Sequence, residues 1–160
     1  MKKQILLIIN LALFLFVNAQ ERIIGTNAYG IDPLAKGMVF TINSNGTNYN
    51  SKKEFLQSWG GGIEVSDGQD GFLYGNSLGN GTIATNSAIF KLKYNGTEYK
   101  TLHRFASSSD GFAPRYRPVV HPDGWIYGVC ELGGNYNNGT IWKMRKNGTD
   151  FTVLKHFNQT

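Results

Sequence analysis

The sequence has little of what would indicate a disulfide-stapled, helical or nucleic-acid-binding protein. Its 160 residues include a single cysteine, Cys130, so no internal disulfide can form. Strong helical signals are absent, while 20 glycines and many asparagines interrupt short apolar runs. No run of Lys or Arg exceeds two residues, so the net charge of +5 is dispersed and predicts no nucleic-acid partner.

Catalytic motifs are missing as well. The sequence contains no Gly-x-Ser-x-Gly, no His-Glu-x-x-His and no phosphate-binding P-loop, and no pair of carboxylates recurs in an acid-base arrangement. A nucleophilic Cys130 would need a histidine and an orienting group nearby. The pattern favours a small, half-buried residue in a strand from Trp125 to Cys130. We therefore expect no catalytic residues and no cofactor.

The N-terminus has the pattern of a secretory signal peptide. Lys2 and Lys3 precede an apolar run from Ile5 to Val17, and Val17-Asn18-Ala19 supplies small residues for a cleavage site. The run is shorter than the ~20 residues that a spanning helix needs. We expect residues 1–19 to be removed, which lowers the net charge to +3. The mature chain is then exported without a membrane span, to the medium, the cell surface or the periplasm.

The mature chain is a tandem repeat, because the triplet Asn-Gly-Thr recurs at Asn45, Asn95 and Asn147 with spacings of 50 and 52 residues. Large apolar residues stand two apart just before each triplet, with one residue between them, which is typical of a half-buried strand. These pairs are Phe40 and Ile42, Phe90 and Leu92, Trp142 and Met144. Aromatic residues after each triplet mark a returning strand: Tyr49 and Phe55, Tyr99 and Phe105, Phe151 and Phe157.

A second repeated element, Asp-Gly-x-x-Tyr-Gly, begins at Asp70 and Asp123 and predicts a turn followed by a strand. Ile24-Gly25 matches the end of the same element, and further strands are expected at Ile63 to Val65 and at Tyr116 to His121. Four short strands in about 50 residues is the size of a β-propeller blade. A β-sandwich is the main alternative, but it does not require successive hairpins to be alike.

We predict an all-β fold in which residues 20–160 form a partial β-propeller of about three repeat units, the first and the last incomplete. About eleven strands are expected, whereas a propeller closes with roughly four to eight blades of four antiparallel strands. The expected architecture is therefore an incomplete propeller, a fragment of a longer protein.

Five segments carry a family pattern: LHRF from Leu102, DGFAP from Asp110, DGWIYG from Asp123, LGG from Leu132 and GTIWKMRKNGTDFTVLKHF from Gly139. In these segments the chain resembles the Gloeo_Verruco (GloVer) tandem repeats. The resemblance covers Ile24 to Phe157 and is weakest in the first unit, where SWGGGIEVSDGQ replaces Asp-Gly-x-x-Pro. It implies an exported bacterial protein built from propeller blades, and it carries over no catalytic or ligand residues.

Trp59 and Tyr136 are the candidate ligand contacts, because both are predicted to lie in loops, where an exposed ring can stack on a sugar. Most of the other aromatic residues occupy repeating strand positions, which indicates packing between sheets. No metal site is expected. His103 and His156 fall on opposite faces of their strands, and the Asp-Gly pairs in SDGQDG are better explained as turns than as a calcium loop.

The Asn-Gly pairs of the triplets are expected to be structural turns of type I′, in which both central residues have positive φ, at the outward tips of the blade hairpins. They are Asn45 and Gly46, Asn95 and Gly96, Asn147 and Gly148. The N-glycosylation rule also fits these asparagines, together with Asn80, Asn138 and Asn158. A turn explains the position, the spacing and the flanking residues of the triplets, whereas glycosylation explains only the triplet.

These observations favour an exported, non-catalytic repeat propeller that binds a glycan or a cell-surface protein through its loops, because its strand spacing is regular while its loops vary. A second hypothesis is part of a secreted propeller hydrolase or lyase acting on polysaccharide, since propeller active sites are assembled from several blades. A third is a purely structural component of a cell surface.

Overall fold

The computed structural model describes residues 22–27, 37–55, 63–78, 87–105 and 108–158. The predicted signal peptide, residues 1–19, lies outside them. The described part of the chain consists of strands and connections without a helix. The strands are β1 (Arg22–Asn27), β2 (Met38–Asn43), β3 (Asn50–Glu54), β4 (Glu64–Asp67), β5 (Phe72–Ser77), β6 (Ala88–Lys93), β7 (Lys100–Arg104), β8 (Val119–Val120), β9 (Trp125–Cys130), β10 (Thr140–Arg145) and β11 (Thr152–His156).

The strands form three antiparallel sheets, which we call blades 1, 2 and 3. Blade 1 has the strand order β1-β2-β3, blade 2 has the order β4-β5-β6-β7, and blade 3 has the order β8-β9-β10-β11. Every neighbour in a sheet is also a neighbour in sequence, as in a propeller blade. The predicted all-β architecture of blades is confirmed.

Two strand boundaries differ from the prediction. The first strand of blade 2 begins at Glu64 rather than Ile63 and continues to Asp67. The first strand of blade 3 is only Val119–Val120, instead of Tyr116 to His121. The reason is Pro118, which has no amide hydrogen to donate to a strand partner.

Apolar residues just before each triplet pack as the alternation predicts. In blades 2 and 3, Phe90, Leu92, Trp142 and Met144 are buried, while Lys91 and Lys143 between them are only half-buried. The register places Phe90 opposite Gly75 and Trp142 opposite Gly128. Each ring lies across its glycine, so that a Cβ on Gly75 would come within 2.5 Å of the Phe90 ring. This close approach explains why the repeated element Asp-Gly-x-x-Tyr-Gly ends in glycine, since a side chain there would clash with the ring.

The blades stack face to face through two apolar cores. We call the side of a blade that faces the preceding blade its leading face, and the side that faces the following blade its trailing face. The core between blades 1 and 2 contains Val39, Phe55, Ile63, Leu73, Phe90 and Leu92. The core between blades 2 and 3 contains Tyr74, Ile89, Phe105, Ile126, Cys130, Trp142 and Met144. Blade 2 therefore has neighbours on both faces.

Both junctions are closed by the same arrangement of three rings. Phe55, which follows the last strand of blade 1, packs against Phe90 and Tyr99 of blade 2 with centroid distances of 5.1 and 5.7 Å. Phe105 packs in the same way against Trp142 and Phe151 of blade 3, at 5.8 and 6.0 Å. Four of the six aromatic residues that follow the triplets therefore pack at the two junctions: Phe55, Tyr99, Phe105 and Phe151.

Candidate binding face

The antiparallel topology separates the connections into two ends of the blade stack. The short turns within each blade, such as 44–49, 94–99 and 146–151, lie at one end, which we call the turn end. The connections β7–β8 and β9–β10 lie at the other, which we call the loop end. Because each strand reverses the direction of the chain, both connections leave their sheets on the same side.

The triplet turns differ in type from the prediction. In blade 2, Gly96 donates its amide hydrogen to the carbonyl of Lys93 at 2.8 Å, and Lys93 donates to the carbonyl of Thr97 at 2.9 Å. Gly96 has a φ of 89°, whereas Asn95 has no positive φ. The turn is therefore a three-residue loop with a left-handed glycine and a bulge, rather than type I′. The prediction of positive φ at the asparagines was wrong, and Asn45 and Asn147 behave as Asn95 does.

The asparagine and the threonine of each triplet are joined by hydrogen bonds. The Asn95 Oδ1 atom accepts from the backbone nitrogen of Thr97 at 3.0 Å and from its hydroxyl at 2.7 Å. Asn45 and Thr47 form the same two bonds, and so do Asn147 and Thr149. This side-chain turn accounts for all three residues of the triplet without a modification.

The triplet glycines of blades 2 and 3 lie close to the preceding blade. A Cβ on Gly96 would lie 2.5 Å from the carbonyl oxygen of Lys52 in the last strand of blade 1. A Cβ on Gly148 would lie 3.0 Å from the carbonyl oxygen of Leu102 in blade 2. These two turns therefore pack on the last strand of the preceding blade, while Asn95 and Asn147 beside the glycines are exposed. Gly46 has no atom within 4 Å of the same position.

At the loop end, two long connections are held together by backbone hydrogen bonds. Phe112 and Leu132 exchange two of them, with N···O distances of 2.7 and 3.2 Å. Gly134 donates to the carbonyl of Ser108 at 2.6 Å, and the Thr140 hydroxyl donates to the carbonyl of Asp110 at 2.8 Å. The two connections therefore form one ordered surface.

The β7–β8 connection is also attached to blade 2. The amide of Arg117 donates to a carboxylate oxygen of Glu64 at 2.6 Å, and the Ser66 hydroxyl donates to the carbonyl of Pro118 at 2.5 Å. The buried Asn76 side chain donates to the carbonyl of Pro114. A cleft of about 300 Å³ lies beside these contacts, lined by Ile24, Gly25, Thr26, Glu64, Val65 and Arg117.

Tyrosine rings stand out from this ordered surface. Tyr136, one of the two predicted ligand contacts, is 61 % exposed in the β9–β10 connection. Trp59, the other, lies outside the described residues. Tyr116 is 63 % exposed in the β7–β8 connection. It was assigned to a strand from the sequence, although Pro114 and Pro118 on either side of it indicate a loop.

Cys130 and His103 take part in the packing of blades 2 and 3. Cys130 is fully buried rather than half-buried, and burial raises the pKa of its thiol to about 12, so the thiol is protonated at neutral pH. His103 stacks on Phe151 with a centroid distance of 3.7 Å, and burial lowers its pKa while Asp110, 3.5 Å away, opposes that shift. His156 accepts from the amide of Asn135 at 3.2 Å.

Within residues 22–27, 37–55, 63–78, 87–105 and 108–158, no three His, Cys, Asp or Glu side chains are grouped closely enough to hold a metal ion. None of the described segments forms a helix with the length and apolar character needed to cross a bilayer.

Two solved structures are similar to the chain in fold. A chain in the crystal structure of a nidogen/laminin complex matches 86 % of this chain with a TM-score of 0.59 and 16 % identity. TolB from Acinetobacter baumannii matches 90 % with a TM-score of 0.55 and 11 % identity. Both are propeller-type proteins. This chain spans 44 % and 34 % of their lengths, respectively.

Sequence comparison identifies the family. No curated protein matches the chain in sequence. The family model of the Gloeobacter/Verrucomicrobia repeat matches residues 13–160, which include every described strand. The chain therefore belongs to the Gloeobacter/Verrucomicrobia repeat family, and its three blades form a β-propeller repeat module.

Proposed function

We propose that this chain is an exported, non-catalytic propeller module whose loop end binds a glycan or a cell-surface protein. The observation that carries the proposal is the pair of exposed tyrosines, Tyr116 and Tyr136, on connections that backbone hydrogen bonds hold in place. A connection whose backbone is already fixed loses little conformational freedom when a ligand stacks on one of its rings.

A glycan is the ligand that these rings fit best. Tyrosine offers an apolar face for the C–H groups of a sugar and a hydroxyl for its polar rim. Charged groups stand nearby, since Arg115 in one connection pairs with Glu131 next to the other. Each of the two side chains is about half exposed, so both charged groups remain accessible to sugar hydroxyls.

Export is supported by the first 19 residues, with their basic start, apolar run and small residues at the cleavage site. The medium, the cell surface and the periplasm all fit this pattern. A fusion of residues 1–19 to a reporter tests export directly, because the reporter should leave the cytoplasm and lose the leader. A reporter that stays in the cytoplasm with the leader attached would refute this part.

Binding is tested by screening the purified chain on a glycan array and against cell-surface proteins. Tyr136→Ala should weaken a glycan hit about tenfold or more, whereas Tyr136→Phe, which keeps the ring, should retain most of the affinity. Tyr116→Ala and Trp59→Ala extend the same comparison to the other candidate rings. A chain that binds nothing, or a ligand whose affinity is the same in all four variants, would overturn the proposal.

A further inference from the structure

The tripeptide Asn-Gly-Thr occurs at two further places besides the three hairpin turns, at Asn80 and Asn138. Asn80 lies outside the described residues. Asn138 belongs to the β9–β10 connection at the loop end, and it is half-buried. Because the tripeptide is the same in all these places, a difference in the chemistry of its asparagines must come from the surrounding structure.

The asparagine of each hairpin turn has a fixed side chain. Its Oδ1 atom accepts hydrogen bonds from the amide and the hydroxyl of the threonine two residues later, which in blade 2 join Thr97 to Asn95 at 3.0 and 2.7 Å. Asn45 and Asn147 are held by the same two bonds. The carboxamide group of a hairpin asparagine therefore rotates only after both bonds break.

Asn138 has the same neighbours in sequence but not these bonds. Thr140 is buried in β10, and its hydroxyl donates to the carbonyl of Asp110 at 2.8 Å instead of to Asn138. Within the described part of the chain, the side chain of Asn138 has no hydrogen-bond partner. Its carboxamide group can therefore rotate while the blade stays folded.

The glycine that follows the asparagine is bound in a similar way at both kinds of site. Gly139 donates its amide hydrogen to the carbonyl of Gly133 at 2.9 Å, and Gly96 donates to the carbonyl of Lys93 at 2.8 Å. Both glycines have a positive φ, of 94° and 89° respectively. The backbone thus restrains the two sites alike, and the difference between them lies in the asparagine side chain.

We propose that Asn138 is a site of spontaneous deamidation in the folded chain, whereas Asn45, Asn95 and Asn147 react only when their turns open. Asparagine is among the chemically labile residues of proteins, and glycine has no side chain to hinder attack by its nitrogen. The backbone nitrogen of Gly139 forms a bond to Cγ of Asn138, and the side-chain nitrogen leaves with a proton as ammonia. Water then opens the cyclic succinimide to aspartate or isoaspartate.

The product changes the candidate binding face. Deamidation converts a neutral amide into a carboxylate two residues after the exposed Tyr136. Isoaspartate also lengthens the backbone beside Gly139, whose hydrogen bond to Gly133 closes the connection. The modified connection is therefore more acidic and less well ordered. An effect on ligand binding would rest on the function proposed above, whereas the modification itself does not.

Peptide mapping by mass spectrometry tests the proposal on the whole purified chain. A Lys or Arg separates each of these asparagines from the next, so trypsin places every one on its own peptide. In concentrated guanidinium chloride all of them should deamidate at similar rates, because their tripeptides are identical. In the native chain Asn138 should react about tenfold or more faster than the hairpin asparagines, since two hydrogen bonds protect each of those.

Isoaspartate in the Asn138 peptide would identify the succinimide route, and Asn138→Gln should abolish the signal. If Asn138 reacts no faster in the native chain than Asn45, Asn95 and Asn147, the proposal is wrong. It is equally wrong if all four react at the rate of the denatured chain, because the hydrogen bonds would then protect none of them.

A threonine variant tests whether the side-chain bonds are the cause of protection. Thr97→Ala removes the hydroxyl bond to Asn95 and leaves the bonds between Asn147 and Thr149 intact. Asn95 should then deamidate several-fold faster, while Asn147 in the same sample keeps its native rate. Thr97→Ser, which retains the hydroxyl, is the matched control. Equal acceleration of Asn95 and Asn147, which indicates opening of the whole fold, or no acceleration at Asn95 contradicts the proposed protection.

Discussion

The middle blade and the outer blades of this chain present the same residues in different surroundings. Phe105 of blade 2 and Phe157 of blade 3 stand at one repeat position, yet the first is fully buried and the second is 39 % exposed. The strand pattern is local and comes from the repeat, whereas burial depends on whether a neighbouring blade is present. The difference shows that contacts between neighbouring blades add burial that a single blade cannot provide, as in other repeat proteins.

The largest expected effect comes from removing a ring at a covered junction. Phe105→Ala should lower the free energy of unfolding by about 3–5 kcal/mol, because it empties a buried site between Trp142 and Phe151. Phe157→Ala, at the equivalent exposed position, should cost about 1 kcal/mol or less. Urea titration of both variants measures the contrast, and equal losses would contradict it.

A smaller effect is expected from the glycine that packs on the preceding blade. Gly96→Val combines a positive φ with a steric clash against the Lys52 backbone, while Gly71→Val in the same blade has the positive φ alone. Positive φ costs a non-glycine residue roughly 1–2 kcal/mol, and the clash adds to this only at Gly96. The melting temperature of Gly96→Val should therefore be lower than that of Gly71→Val. The reverse order would show that the turn is not in contact with blade 1.

The side-chain turn within each triplet should contribute less. Asn95→Ala removes the acceptor for the Thr97 amide and hydroxyl and should cost about 1 kcal/mol. Because the same bonds occur in all three blades, Asn45→Ala and Asn147→Ala should lower the stability by similar amounts. The alanine variants of Phe105 and Phe157, in contrast, should differ. Thr97→Ser retains the hydroxyl and serves as the control. If the asparagine variants unfold at the wild-type denaturant midpoint, these bonds do not stabilise the turns.

The smallest effect is a pH dependence at His103, whose repeat equivalent in blade 3 is the exposed Lys155. Burial lowers the pKa of His103 below its usual value of 6.5, so the unfolded chain takes up a proton more readily than the folded chain. Stability is therefore complete above pH 6.5 and decreases as the pH falls toward the folded-state pKa.

Denaturant titrations at about pH 7.5 and about pH 5.5 check this dependence. His103→Phe keeps the stacking on Phe151 and should reduce the loss of stability at the lower pH. Lys155→His places a histidine at the exposed equivalent position and should leave that loss unchanged. An identical pH dependence in wild type and His103→Phe would exclude His103 as its source.

The strands could be predicted from the sequence because each strand depends on a local alternation of apolar and polar residues. The residues around Phe90 and Trp142 alternate regularly, and the structure confirms the β-propeller blades that this pattern indicated. The turn type was mispredicted, since Asn-Gly is equally compatible with a two-residue hairpin and with a three-residue loop whose glycine alone is left-handed. Only the register of the flanking strands distinguishes the two.

The contacts of the candidate binding face could not be predicted in the same way. Tyr136 was found because it stands outside the repeat pattern, but the backbone bonds between Phe112 and Leu132 join segments with no repeat signal. Tyr116 was placed in a strand because the unit needs a first strand at that point. The chain instead uses Val119–Val120 and holds the preceding loop through Glu64, Ser66 and Asn76 of blade 2.

The contact between the triplet glycine and the preceding blade has a consequence for the length of the connections. In each triplet hairpin, six residues separate the two strands, and the three-residue turn is part of them. An inserted residue in 94–99 or 146–151 would push against the neighbouring sheet. In the β9–β10 connection, residues 135–137 are exposed. Foreign peptides grafted between Asn135 and Asn138 should be tolerated, so the loop end offers a place to display new recognition segments on an unchanged stack of blades.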